Sequence, residues 1–206
     1  VNVANVDEAS AFTSPASVSV GENGTAVVTV RAADPDAGAT VSYSISGADA
    51  SLFTIDSATG VLRFVAAPDF EGPGDNGADN VYDLVVSASD GTNTVTQAMA
   101  VTVTNVNEAP VLSLSGVGTI MENAVAATVA NFTASDVDAG DTLTYTLGGA
   151  DAALFVVDGN SVRLKNGVSL DYEAAQTRAL TLTVTDAHGA SQTQALTINV
   201  GNVNEA

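Results

Sequence analysis

Asn105-Val106-Asn107-Glu108-Ala109 decides the reading of this chain, because the 206 residues carry the same phrase three times. It stands first as Asn5-Val6-Asp7-Glu8-Ala9 and last as Asn202-Val203-Asn204-Glu205-Ala206. A fixed period of about a hundred residues is the signature of a tandem array of small domains. The text between the marks recurs in the same order. Glu22-Asn23 returns as Glu122-Asn123, and Asp34-x-Asp36-Ala37-Gly38 returns as Asp136-x-Asp138-Ala139-Gly140. Gly47-Ala48-Asp49-Ala50-x-Leu52-Phe53 matches Gly149-Ala150-Asp151-Ala152-x-Leu154-Phe155. Asp69-Phe70-Glu71 answers Asp171-Tyr172-Glu173, and Asp90 answers Asp186.

Inside each repeat the apolar period is two, in segments rich in Val, Thr, Ile, Leu and Ala, which reads as strand. Tyr82, Leu84, Val86 and Ala88 alternate with Asp83, Val85, Ser87 and Ser89; Leu180, Leu182 and Val184 alternate with threonines. Strands are predicted near 16–20, 25–32, 40–46, 52–56, 61–65, 80–89 and 94–104. In the second repeat they fall near 111–120, 126–134, 142–148, 154–157, 161–165, 178–185 and 192–200. The Gly-Ala-Asp-Ala segments have room for one short turn. The expected fold is all-β, two tandem seven-stranded Greek-key sandwiches of immunoglobulin-like, antiparallel type. Residues 1–9 form a linker from a preceding repeat, 10–104 the first repeat and 105–110 the joint. Residues 111–201 form the second repeat, and 202–206 begin a following linker. Val1 falls in mid-pattern, as in a segment of a longer polypeptide. Gly72 to Asn80 is an insertion, read as a flexible surface loop.

Composition narrows the partners. With 24 acidic and 5 basic side chains the formal net charge is −19, which repels phosphate backbones and anionic membranes. Nucleic acid and membrane are therefore not expected partners. Hydrophobic residues make up 46% of the chain, enough for packed cores. There is no cysteine, which removes disulfides and thiolate metal sites.

If successive strands alternate in direction, the acids sort by end. Glu22, Asp69 and Glu71, with Asn105 to Glu108, fall at the trailing end of repeat one. Asp136, Asp138 and Asp186 fall at the leading end of repeat two. Like charges about 4 Å apart repel by roughly 1 kcal/mol even in water. Hard divalent cations are the remedy. Calcium takes 6–8 oxygen ligands in flexible geometry, and the carboxylates, the Asn105 and Asn107 amide oxygens and linker carbonyls supply that set. Zinc and copper are not expected from a chain with no Cys and one His. Sixteen of the 24 acids occupy the repeated loop and linker positions, which is not how scattered solubilising charge is distributed.

These residues carry a resemblance to cadherin repeats. Glu22-Asn23 and Glu122-Asn123 resemble the family's Pro-Glu-Asn motif; Asp69-Phe70-Glu71 and Leu170-Asp171-Tyr172-Glu173 resemble its Leu-Asp-Arg-Glu motif. Asp34-Pro35-Asp36 and Asp136-Val137-Asp138 are similar to its Asp-x-Asp loop, and Asn105 to Pro110 to its calcium-binding linker. The Asp-Ala-Gly loops and Asn-Glu-Ala-Pro linker look like bacterial cadherin-like repeats of large surface, secreted or biofilm adhesins. The resemblance implies several Ca²⁺ per chain, up to three at the central joint. Glu22, Asp69, Glu71 and Glu108 would hold one; Asn105, Glu108, Glu22, Glu71 and Asp138 the middle one; Asp136, Asp138, Asn107 and Asp186 the third. Further half-sites are implied at Asp7, Asp34, Asp36 and Asp90, and at Glu122, Asp171, Glu173, Asn202 and Glu205. The chain departs from the family pattern at Asn5, Asn105 and Asn202, where the linker begins with Asn in place of Asp.

The resemblance implies an extracellular or cell-surface structural and adhesive module, with calcium and neighbouring repeats of the parent chain as partners. Calcium-dependent polysaccharide binding is the alternative, and homophilic protein contacts stay open as well. Aromatic residues are few, 5% of the chain, and those at strand positions read as core. An enzyme is not expected. Asp69 and Glu71 within a repeated metal motif read as ligands rather than as a glycosidase pair, and His188 reads as a solvated loop residue.

Overall fold

The computed structural model describes residues 6–205; Asn5 and Ala206 of the repeated linker phrase lie outside them. The chain divides between Val106 and Asn107 into two compact units. In unit 1 the strands are β1 (Ala11–Phe12), β2 (Ser17–Gly21), β3 (Ala26–Thr29), β4 (Ala32–Ala33), β5 (Ser42–Ser46), β6 (Phe53–Ile55), β7 (Val61–Phe64), β8 (Val81–Ser89) and β9 (Thr94–Thr104). One sheet has the order β2-β9-β8-β5, the other β3-β7-β6, with β1 paired to β4. Unit 2 contains β10 (Val111–Ser115), β11 (Thr119–Met121), β12 (Thr128–Ser135), β13 (Thr144–Gly148), β14 (Phe155–Asp158), β15 (Ser161–Leu164), β16 (Thr177–Thr185) and β17 (Ser191–Gly201). Its sheets run β11-β17-β16-β13 and β10-β12-β15-β14. Each unit is a β-sandwich.

The expected strands are present with two corrections: the strand predicted over 25–32 is two pieces, β3 pairing with β7 and β4 with β1, and the start of each repeat divides as well. The single first strand predicted over 111–120 is two pieces in different sheets. β10 pairs antiparallel with β12, whereas β11 pairs parallel with β17. The break falls at Gly116, whose φ of 64° is a conformation that side chains resist. In unit 1 the same break holds Pro15, which has no N–H to give a ladder, and β2 then pairs parallel with β9. The expectation of purely antiparallel sheets fails here because the chain crosses between sheets and comes to lie along the last strand.

Period-two burial builds the cores. Tyr82, Leu84, Val86 and Ala88 of β8 are buried, and Leu180, Leu182 and Val184 of β16 do the same in unit 2. Against them pack Val30, Phe53, Leu62, Phe64, Met99, Val101 and Val103 in one unit, and residues including Phe132, Phe155, Val162, Leu164, Leu196 and Ile198 in the other. Phe53, Phe64 and Tyr82 form an aromatic cluster, with ring centroids 4.3 Å apart for the phenylalanines and T-shaped contacts to the tyrosine. Such pairs add about 0.5–1.5 kcal/mol beyond area burial. The pairings β3–β7 and β12–β15 shift register at corresponding places, Ala26/Val28 and Thr128/Ala130.

The short turns expected in the Gly-Ala-Asp-Ala segments are 3₁₀ turns at Ala50–Leu52 and Ala152–Leu154, preceded by Asp49 and Asp151. The insertion Gly72 to Asn80 is built on a carboxylate, not left as an open loop. Buried Asp75 accepts backbone N–H bonds from Gly77 (2.8 Å), Asp79 (3.2 Å) and Asn80 (3.0 Å). These hold Ala78 and Asn80 at positive φ, 52° and 63°. The Asn80 amide in turn donates to the Phe70 carbonyl (2.9 Å), which anchors the insertion to the acidic motif beside it.

Candidate metal centre

At the trailing end of unit 1, Glu22 sits at the close of β2, while Asp69 and Glu71 lie in the connection from β7 to β8. Ligand-competent oxygens of these three residues lie within 4.8 Å of one another. Glu22 is only 6% exposed. A buried carboxylate is costly unless hydrogen-bonded, and both of its oxygens are: one accepts from the Phe70 N–H (2.7 Å), the other from the Val106 N–H (2.9 Å). Glu22 therefore fixes the acidic motif and the outgoing linker together. Asp69 Oδ1 accepts from the N–H groups of Glu71 and Gly72 (3.0 and 3.1 Å), and the Asn105 amide donates to Glu71 (3.3 Å).

Unit 2 repeats the central bonds of this set. Glu122, 3% exposed, accepts from the Tyr172 N–H (2.8 Å) and the Val203 N–H (2.7 Å). Asn202 donates to Glu173 (3.0 Å), Asp171 accepts from Ala174 (2.9 Å), and Asn123 donates to Glu205 (2.8 Å). Glu122, Asp171 and Glu173 again bring oxygens within 4.8 Å.

The leading ends are built from the loops after β4 or β12 and after β8 or β16. In unit 2, Asp138 accepts from the Glu108 N–H (2.9 Å) and Asp136 from the Asp138 N–H (3.1 Å). The Asn107 amide donates to Asp186 (3.0 Å) and to the Glu108 carbonyl (3.1 Å). That leaves the Asn107 amide oxygen facing away from these partners, and it is buried with no hydrogen-bond donor; so is Asp136 Oδ2. Bare acceptors are what a hard cation needs, and buried polar atoms without partners are uncommon otherwise. The residues fit calcium on that observation. The Asn107 bond, followed by three backbone N–H bonds from Gly189, His188 and Ala190, holds the Asp186 carboxyl below its ordinary range, so it stays ionised.

Unit 1 has the same frame with different fittings. Asp36 accepts from the Glu8 N–H (2.9 Å), and Asp34 from the Asp36 N–H (2.9 Å). Asp90 is held low by the N–H groups of Asn93 and Thr92, and its Oδ2 is buried without a donor. Asp7, however, accepts from the Asn93 amide (2.8 Å), and the Ser10 hydroxyl donates to Asp34 Oδ2 (2.6 Å). Pro110 stands where unit 1 has Ser10, so Asp136 Oδ2 in unit 2 has no such donor.

All eighteen expected ligands thus fall in four loop clusters, two in each unit. Ser10 and Asn93 were not foreseen, because neither belongs to the repeated pattern. His188 is a solvated side chain as expected, with one contact the sequence did not indicate. The side chain is 65% exposed, and Nδ1 lies 3.2 Å from a carboxylate oxygen of Asp141, whose side chain is 9% exposed. The available signal was Asp141 directly after the repeated Asp138-Ala139-Gly140, where unit 1 has Ala39.

Two sandwiches in tandem, each carrying acidic clusters at both ends, define a class of tandem β-sandwich repeat modules. The cadherin-domain profile matches residues 16–107 and again 117–201, and the chain belongs to the cadherin family. Protocadherin Fat 4 of Homo sapiens is 33% identical over 188 residues, covering 86% of this chain and 4% of that protein. Cadherin-related family member 1 of Rattus norvegicus is 30% identical over 211 residues, 94% of this chain and 23% of that protein. The chain spans only a small part of these relatives' length. Among solved structures, human protocadherin-24 EC1-2 aligns with TM-score 0.60 and 25% identity over 95% of this chain and 99% of that one. The PcdhgB3 EC1-4 structure gives 0.58 and 27% over 95% and 50%. Cadherin domains are extracellular, calcium-binding adhesive modules.

Proposed function

We propose that calcium joins the trailing cluster of unit 1 to the leading cluster of unit 2 and stiffens the joint of a long surface or secreted adhesin of the bacterial cadherin-like kind. On this reading residues 105–110 are the calcium-binding linker. Glu22, Asp69, Glu71 and Asn105 contribute from one side, and Asn107, Glu108, Asp136, Asp138 and Asp186 from the other, for up to three ions. The observation that carries the reading is the pair of buried acceptors without donors, Asn107 Oδ1 and Asp136 Oδ2, in loops whose counterparts recur in unit 1. Clusters at both ends of the chain suit neighbouring repeats of a longer array.

Calcium in extracellular modules binds at about 10⁻⁴–10⁻³ M, which places the joint's formation outside the cytosol. Binding that needs both units is also docking free energy. The test is a calorimetric calcium titration of the chain beside Asp138→Ala, with scattering in calcium and in chelator. Two or more ions per chain, fewer in the variant, and a more extended particle with calcium are expected. Identical titrations, or one scattering profile in both conditions, would overturn the proposal. The polysaccharide alternative draws no support from the aromatic residues: all six Phe and four Tyr are buried or half-buried, which leaves no fully exposed ring face for a sugar.

A further inference from the structure

The leading end of unit 2 holds a second kind of ligand set, distinct from the all-oxygen clusters. Asp141, His188 and Asp186 bring a ring nitrogen and two carboxylates within 4.8 Å of one another. Each is positioned by its loop. Asp141 closes the turn after Asp138, with its N–H on the Asp138 carbonyl (3.3 Å). Asp186 is fixed through Oδ1 by the N–H groups of His188 (2.8 Å), Gly189 (2.6 Å) and Ala190 (2.9 Å), so the loop after β16 wraps the carboxylate and delivers the imidazole beside it. The Asp141 side chain is nine-tenths buried, and one of its carboxylate oxygens lies 3.2 Å from His188 Nδ1. A tetrahedral ion with bonds of about 2.0–2.1 Å separates its ligand atoms by roughly 3.3–3.4 Å, so this nitrogen and oxygen already stand near the edge length of such a site.

The set is an addition to the repeat, not a consequence of it. Unit 1 has Ala39 at the position of Asp141, and the loop after β8, Asp90-Gly91-Thr92-Asn93, is one residue shorter and has no His. The half-exposed rim leaves room for water as a fourth ligand, as open zinc sites have.

We propose that Asp141, His188 and Asp186 form a site for a borderline divalent cation of the zinc class, separate from the calcium clusters and present in unit 2 alone. Imidazole nitrogen selects such ions over calcium, which takes oxygen ligands. Asp186 belongs to both ligand sets, so the two cations are linked through it.

Zn²⁺ is the probe, added to the full chain in saturating calcium so that the acidic clusters are filled. Because the chain has one histidine, a long-range ¹H–¹⁵N spectrum of the imidazole reads a single ring. One zinc per chain with the shift on Nδ1 is expected, and about ten-fold or more weaker binding in His188→Asn and in Asp141→Asn. His188 is exposed, so its substitution leaves the fold intact and decides the matter even if Asp141→Asn fails to fold. Zinc affinity unchanged in His188→Asn, coordination through Nε2, or no zinc binding in calcium would each overturn the proposal. Loss of calcium binding with zinc binding kept would overturn only the calcium reading.

Discussion

Asp49 and Asp151 occupy corresponding places before the 3₁₀ turn of each unit, and the two units satisfy them differently. Both accept a backbone N–H from the neighbouring strand, Asp83 for Asp49 and Ala179 for Asp151, each at 2.7 Å. The other oxygen tells them apart. In unit 1 the Asn76 N–H of the insertion donates to Asp49 (2.8 Å), and the carboxylate is sealed at 3% exposure. In unit 2 there is no such insertion, and Arg178 stands 3.5 Å from Asp151 on a half-open surface. The second oxygen of one carboxylate is held by backbone brought in by extra chain, that of the other by a single cation. A tandem repeat can thus keep a carboxylate in place while changing what satisfies it.

Removing the carboxylates breaks the comparison most directly. Asp49→Ala should cost unit 1 about 3–5 kcal/mol, from two bonds to an ionised group that leave buried donors behind. Asp151→Ala should cost unit 2 about 1.5–3 kcal/mol, since a partly exposed ion pair adds little. Urea unfolding followed through resolved amide signals of each unit measures both, and equal losses would refute the distinction. Calcium comes next. At a hundred times its dissociation constant it should stabilise the folded chain by about 2.7 kcal/mol, less in Asp136→Ala, as read from chemical unfolding with and without chelator.

Asp75→Ala tests the insertion itself. Three backbone donors lose their acceptor, and a loss of about 2 kcal/mol confined to unit 1 is expected, as the loop borders water. If the signals of Asp49 and Asn76 do not respond, the insertion does not seal the carboxylate.

The smallest effect is one of pH. Burial pushes the Asp75 carboxyl up, but the N–H groups of Asp79, Asn80 and Gly77 outweigh it and hold the group below its usual 3.8. A depressed acid stabilises the fold above its unfolded value and loses that contribution as pH falls through the folded one. A ¹³C carboxyl titration should therefore place Asp75 below an unfolded-chain carboxyl, and a midpoint at or above 3.8 would contradict the hydrogen-bond network.

The two ends of each unit teach the same lesson at the acidic clusters. Glu22 and Glu122, Asp36 and Asp138 keep their backbone donors in both units. These positions were legible because identity and spacing repeat, and a ligand type recurring in fixed order is a chemical statement needing no coordinates. Ser10 against Pro110, and Asn93 reaching Asp7, were not legible. Each is a side chain outside the pattern whose meaning depends on which loop lies opposite.

The sequence by itself determined the two repeats, the strand faces and the identity of the acidic side chains that gather at each end, since period-two burial and recurring loop residues are local properties of the chain. It did not determine that the first strand divides between sheets, that Asp75 organises the insertion, or that Asp141 meets His188. Those follow from residues such as 141 and 188, far apart in the chain, meeting when two loops close at one end of a sandwich. Only tertiary structure decides which donor faces which acceptor.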